Sequence, residues 1–181
     1  MLARLLSLLF AASVAQGLDL TARQTMRELE GIRIPQLEFE DGTKRVIYMP
    51  PDGWTHSGQS RSLLLGVPDR PSSTAEIRLI AVVSDEERAM PMGEWIKRLL
   101  PTGTGVPEIV REVEGSFSLD VRTAQEWIFR FTANGKPMMR SIAVVALSPE
   151  ERFVTLITAR EEDFATTRTE MMRSMSSWVW E

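Results

Sequence analysis

There is no cysteine anywhere in the chain. Disulfides, thiol chemistry and a lipid anchor on cysteine are therefore excluded. Histidine is almost as scarce: His56 is the only one. Lysine and arginine number 21 against 25 aspartates and glutamates, a formal charge of −4. A mildly acidic chain with no basic stripe is a poor partner for a phosphate backbone. No apolar run approaches the ~20 residues a membrane-spanning helix needs. Internal repeats and low-complexity runs are also missing.

A short apolar stretch runs from Leu5 to Phe10 behind Arg4, extended by Ala11-Ala12. Ser13-Val14-Ala15 and Ala15-Gln16-Gly17 both fit the small-x-small rule for signal cleavage. Residues 1–17 are expected to be a signal peptide. Its loss with Arg4 would take the charge from −4 to −5 and leave one domain's worth of chain. An exported protein free of cysteine points to a periplasmic or secreted location, more typical of bacteria than of disulfide-rich animal secretomes.

The region 18–45 reads as an N-terminal arm and first strands. Leu18 to Glu30 is polar with scattered apolar residues, fitting a short helix or a loose arm. Asp41-Gly42 is a hairpin dipeptide, and Lys44 to Met49 is the returning strand. Pro50-Pro51-Asp52-Gly53 stops that strand, because proline cannot donate to a ladder. Trp54 follows as a core plug. Thr55 to Arg61 reads as a polar loop, Leu63 to Val67 and Glu76 to Val83 as strands. Met92, Ile96, Leu99 and Leu100 recur at helical spacing between Pro91 and Pro101. Ile109 to Val113 and Phe117 to Val121 read as two weaker strands about Gly115.

The strongest signals lie near the C-terminus. Trp127 to Thr132 is aromatic and β-branched, as strands prefer. Asn134-Gly135 is the best short hairpin signal, since both residues accept positive φ. Met138 to Leu147 and Arg152 to Ala159 complete three antiparallel strands. A closing helix follows, with Asp163 as expected N-cap and Phe164, Arg168, Met171, Met175 and Trp178 on one stripe. Strands in runs with inserted helices, and no βαβ rhythm, predict an α+β fold with a mainly antiparallel sheet.

Tyr48-Met49-Pro50-Pro51-Asp52-Gly53-Trp54 resembles the strand, proline and Gly-Trp opening of PsbP/Mog1-like proteins. Val121 to Phe131 followed by Asn134-Gly135 resembles their middle. Phe153 to Ala159, then Phe164 and a helix ending Met172-Arg173-Ser174-Met175, resembles their final strand and helix. The resemblance covers about residues 46–178, and residues 46–181 are taken as one such domain. It implies an α/β/α sandwich with a central antiparallel sheet flanked by helices, and a tendency to bind proteins. No catalytic residue of the family carries over.

Each candidate site has a plainer structural explanation. His56, with Asp52, Ser57 and Ser60, sketches a nucleophile and base, but these residues crowd one loop and a triad needs convergence from separate elements. The Gly-x-Ser-x-Gly elbow is absent. The methionines of the last helix, Met171 and Met175 foremost, offer thioethers that suit Cu(I). Methionine also fills irregular cores. The acidic groups Asp85-Glu86-Glu87, Glu150-Glu151 and Glu161-Glu162-Asp163 lack a calcium-loop pattern. Gly103-Thr104-Gly105 lacks the Lys-Ser/Thr of a phosphate loop. Trp180 falls off the helix stripe and is the candidate partner contact, since exposed aromatics concentrate at interfaces.

These features lead to the expectation of a non-enzymatic exported accessory domain that binds another protein. No catalytic residue, cofactor or metal is assigned, no nucleic acid is expected, and membrane insertion is not expected once the signal is removed. The alternative is a periplasmic domain that binds a small ligand or metal ion.

Overall fold

The computed structural model describes residues 17–102 and 106–181. The expected signal peptide, apart from Gly17, and the Gly103-Thr104-Gly105 connection lie outside the described residues. Eleven strands, three α-helices and one 3-10 turn make up the described fold. Strands β1 (Leu18–Leu29), β2 (Ile32–Asp41) and β3 (Lys44–Tyr48) join a two-residue C-terminal strand β11 (Val179–Trp180) in a four-stranded sheet ordered β1-β2-β3-β11. The larger sheet holds β4 (Thr55–Gln59), β5 (Ser62–Gly66), β6 (Thr74–Ala81), β7 (Glu108–Leu119), β8 (Arg122–Ala133), β9 (Lys136–Ser148) and β10 (Glu151–Arg160). Its order is β4-β5-β6-β10-β9-β8-β7. Every strand pairing is antiparallel.

The mainly antiparallel α+β class is what the sequence predicts, but the α/β/α sandwich is not matched. Helices are few. α3 (Glu161–Met175) shares its side of the large sheet with the second sheet, and among the described residues the opposite face carries only α1 (Asp85–Ala89), α2 (Met92–Trp95) and the 3-10 turn Ile96–Leu99. The central strand β10 is buried on both faces, which is why its apolar residues do not alternate with exposed polar ones. Phe153, Ile157 and Ala159 face the four-stranded sheet and α3. Val154 and Leu156 face the smaller cluster around Trp95 and Ile96.

The Asn134-Gly135 hairpin forms as expected, with φ of 52° and 73° at the two central residues and Ala133 paired to Lys136. The Asp41-Gly42 turn is displaced by one residue. Asp41 pairs with Lys44, so Gly42 and Thr43 are central, and the positive φ falls on Gly42 alone, as a type II′ turn requires. The two weak strands about Gly115 are one strand, β7, with a bulge at Gly115 where φ is 74°. The expected loop Thr55 to Arg61 contains strand β4, at the edge of the large sheet.

Two other corrections matter for function. Leu18 to Leu29 is a strand, neither helix nor loose arm. Its register with β2 slips by two residues between Asp19 and Arg23, and the inserted Leu20 plugs the core with its N–H bonded to the Ser60 carbonyl at 2.9 Å. The backbone of Leu20–Ala22 crosses Gly58 so closely that a Cβ there would stand 2.4 Å from the Leu20 carbonyl oxygen. The closing helix begins at Glu161 with Arg160 as N-cap, so Asp163 lies within the first turn beside Glu161 and Glu162. There the three acids meet the positive end of the helix dipole. The helix also ends at Met175, before Trp178.

Candidate functional site

Trp178 sits at the centre of the space between the two sheets. It stacks on Phe39 and Tyr48 at centroid distances of 5.3 and 5.0 Å and meets Phe153 edge-on at 5.2 Å. The chain reaches this position because Ser174 and Ser177 turn it out of the helix. The Ser177 hydroxyl accepts the Met49 N–H at 2.8 Å and donates to the Ser174 carbonyl. The Ser174 hydroxyl donates to the Met171 carbonyl at 2.7 Å, which leaves it to accept the Tyr48 hydroxyl at 2.9 Å. Burial raises the Tyr48 phenol far above the usual tyrosine range. Met171 and Met175 are fully buried in this same cluster. Trp180 pairs with Val46 in the ladder of β11 with β3 and is half-buried. Its indole N–H donates to Asp41 at 2.9 Å, and it lines a cleft of about 830 Å³ with Asp19, Glu40, Arg61 and Glu150.

A second fixed point ties α3 to the large sheet. Glu126 is 1% exposed. Both its carboxylate oxygens accept from the Arg168 guanidinium, at 2.7 and 2.5 Å, and the Ser141 hydroxyl donates to one of them at 2.5 Å. The bond to Glu126 raises the Arg168 pKa further above its ordinary value. Three of the carboxylate's four acceptor positions are taken and the group is buried, so it is a structural clamp. On the opposite face of the sheet Arg152 lies 4.1 Å over the Trp95 ring and donates to the Glu87 carbonyl. Burial lowers its pKa.

His56 pairs with Leu65 in the β4–β5 ladder. Among the described residues its imidazole has no hydrogen bond to Asp52, Ser57 or Ser60. The acidic groups stay apart: Asp85-Glu86-Glu87 open α1, Glu150 and Glu151 sit at the β9–β10 turn, and the third group opens α3. No group of three or more metal-ligating side chains is gathered among the described residues.

The feature that sequence reasoning missed is the far half of the β1–β2 hairpin. β3 pairs with β2 only from Leu37 to Asp41. Past Tyr48 the chain turns off at Pro50-Pro51. The ten residues Thr25–Leu29 and Ile32–Gln36 therefore continue as a two-stranded arm closed by the Glu30-Gly31 turn, with φ of 51° and 81°. Met26, Leu29 and Ile32 on this arm are 55, 52 and 66% exposed. Arg23, Arg27 and Arg33 line it, and none makes an ion pair among the described residues. Between the arm and the Pro50–Trp54 turn lies a groove of about 570 Å³ lined by Ile34, Pro35, Gln36, Pro51, Trp54 and His56. The one available signal was Glu30-Gly31 between Leu29 and Ile32, a turn dipeptide between apolar residues.

No family model and no curated protein matches the sequence. Solved structures do. The chain aligns over 86% of its length, and 96% of the other's, with PA94 of Pseudomonas aeruginosa, described as a protein of unknown function and putative regulator, at a TM-score of 0.50 and 13% identity. It aligns over 88% of its length, and 91% of the other's, with LpqN of Mycobacterium tuberculosis, described as involved in cell envelope biogenesis, at 0.50 and 13%. Cyanobacterial PsbP from Synechocystis aligns over 97% of this chain and 99% of its own at 0.49 and 11%. The chain shares its fold with PA94 and LpqN, and at such identities the likeness is one of fold alone. Among the described residues no helix is long and apolar enough to cross a membrane.

Proposed function

We propose that this is an exported, non-enzymatic accessory domain that binds another protein through the β1–β2 arm. The observation that carries the reading is the arm itself: apolar side chains held in the open on a ladder that packs against nothing beyond β3. Leu29 and Ile32 are cross-strand neighbours, and adjacent exposed apolar side chains are the kind of surface at which proteins associate. LpqN, similar in fold, is described in the setting of the cell envelope, which agrees with an extracytoplasmic accessory role. The leader-like residues 1–17 support export.

A photo-crosslinking amino acid placed at position 29 or 32 tests this in the native host. One discrete protein adduct is expected from those positions and none from position 83 or 121, where Val83 and Val121 are more exposed but isolated. Equal or absent crosslinking at all four positions would contradict the reading. The cleft beside Trp180 favours the second reading, a small-ligand domain. Native mass spectrometry of the protein purified from its host tests that one, and a bound small molecule lost in Trp180→Ala would support it.

A further inference from the structure

We propose that Asn134 is a site of spontaneous covalent modification: the Gly135 backbone nitrogen displaces its side-chain amide as ammonia, at a rate set by opening of the hairpin turn. Asn134 is the only asparagine in the chain, and glycine follows it directly. Both residues are exposed. The Asn134 side chain has no hydrogen-bond partner among the described residues. The Gly135 N–H lies inside the two-residue turn, beyond the last ladder pair of Ala133 with Lys136, and is bonded to no other backbone group among the described residues. A Cβ at Gly135 would meet nothing within 4 Å, so the fold leaves the space around this residue open.

The chemistry needs water and no other reagent. The Gly135 nitrogen gives up its proton and bonds to Cγ of Asn134. The Cγ–Nδ2 bond breaks, and ammonia leaves with that proton. The product is a five-membered cyclic imide. Water then adds to one of its two carbonyls. Opening at Cγ gives aspartate. Opening at the main-chain carbonyl routes the backbone through Cβ and Cγ and gives isoaspartate. No electron is transferred. Glycine favours the first step because any β-carbon beside the nitrogen would hinder its approach. Asp41-Gly42 and Asp52-Gly53 share the spacing, but an ionised carboxylate resists such attack, and Asp41 is also held by the Trp180 indole at 2.9 Å.

The fold acts as a brake on this step. The φ values of 52° and 73° and the closing pair Ala133–Lys136 define a type I′ turn. Such a turn holds ψ of its first central residue at about +30°. That places the Gly135 nitrogen nearly opposite Cβ about the Cα–C bond, whereas ring closure needs the two eclipsed. The turn therefore has to open first. Opening is confined to the tip, because Phe131 and Met139 are buried further along the hairpin. Aspartate fits the closed turn again, since Asp-Gly also takes the positive φ values. Isoaspartate does not: its extra main-chain carbon lengthens the turn and breaks the pairing of Ala133 with Lys136.

The test incubates the full chain at mildly alkaline pH, folded and in urea. Intact mass follows the change of amide to acid, and peptide mapping separates aspartate from isoaspartate. Conversion is expected at position 134 alone, with both products, and about tenfold to a hundredfold slower in the folded chain, as a local opening of modest cost imposes. Asn134→Asp is expected to abolish the mass change and to melt like the unmodified chain. The isolated isoaspartate form is expected to exchange the Ala133 and Lys136 amides faster. A folded chain still unconverted after the time that range allows would overturn the proposal. So would equal rates in the two states, which would show that the turn imposes no brake. A mass change that maps to glutamine and persists in Asn134→Asp would overturn it as well.

Discussion

The two ends of β2 differ in everything but sequence neighbourhood. At Leu37–Asp41 the strand is paired on both sides, and Phe39 stacks at 6° on Trp178. At Ile32–Gln36 it has one neighbour, exposed apolar side chains and a buried amide oxygen with no partner. The difference shows where stability is concentrated and where surface has been left over. Aromatic packing, the Tyr48–Ser174–Met171 hydrogen bonds and the C-terminal strand all close the first end. Nothing in the described chain closes the second.

The largest effect should come from emptying the closed end. Trp178→Ala removes the ring that touches Phe39, Tyr48 and Phe153 and is expected to cost about 3–5 kcal/mol in urea unfolding, the range for large-to-small truncations in a core. Next is the clamp on α3. Arg168→Leu strands the Glu126 carboxylate in the interior; because the Arg168 side chain is 26% exposed, the cost should fall somewhat below the ~3–5 kcal/mol typical of a broken buried pair. Adding Glu126→Leu should recover part of that loss. A double variant no better than the single would show that the pair is not what holds the helix.

Alkaline pH sharpens the comparison by a smaller step. Tyr48 keeps its proton in the fold and loses it when unfolded, so its contribution is present below the unfolded phenol value of about 10 and falls as pH rises above it, by ~1.4 kcal/mol per pH unit. Tyr48 is the only tyrosine, so tyrosinate absorbance reports it alone. Ionisation should coincide with unfolding. A tyrosinate signal with the tertiary fold intact would contradict its burial. The smallest effect belongs to the arm: Ile32→Ser should change stability by no more than about 0.5 kcal/mol, as exposed substitutions do, and abolish the crosslink expected from position 29.

The central strands of the large sheet were legible because they are buried. Trp127 to Thr132, Asn134-Gly135 and Arg152 to Ala159 announce themselves by aromatic and β-branched content and by residues that take positive φ. The arm was not legible, for the opposite reason. A strand exposed on both faces needs no alternation of apolar and polar residues, and the two-residue slip after Asp19 breaks what alternation Leu18 and Leu20 begin. Trp178 misled in another way. It follows Met175 by three residues and so continues a helical stripe, yet at the helix end the Ser174 and Ser177 hydroxyls donate to backbone carbonyls, which periodicity does not register. The Glu126–Arg168 clamp left a trace, a charge on an apolar stripe, but its partner lies 42 residues away and only the sheet brings them together.

Native-state hydrogen exchange tests the division between a closed core and a self-supported arm most directly. The amides of Val46, Tyr48 and Phe153 are expected to exchange only through global unfolding, and those of Thr25 to Leu29 and Ile32 to Ile34 through local opening that costs far less and does not change with small amounts of denaturant. Arm amides as protected as the core would contradict the account, because they would show the open edge of β2 to be covered already.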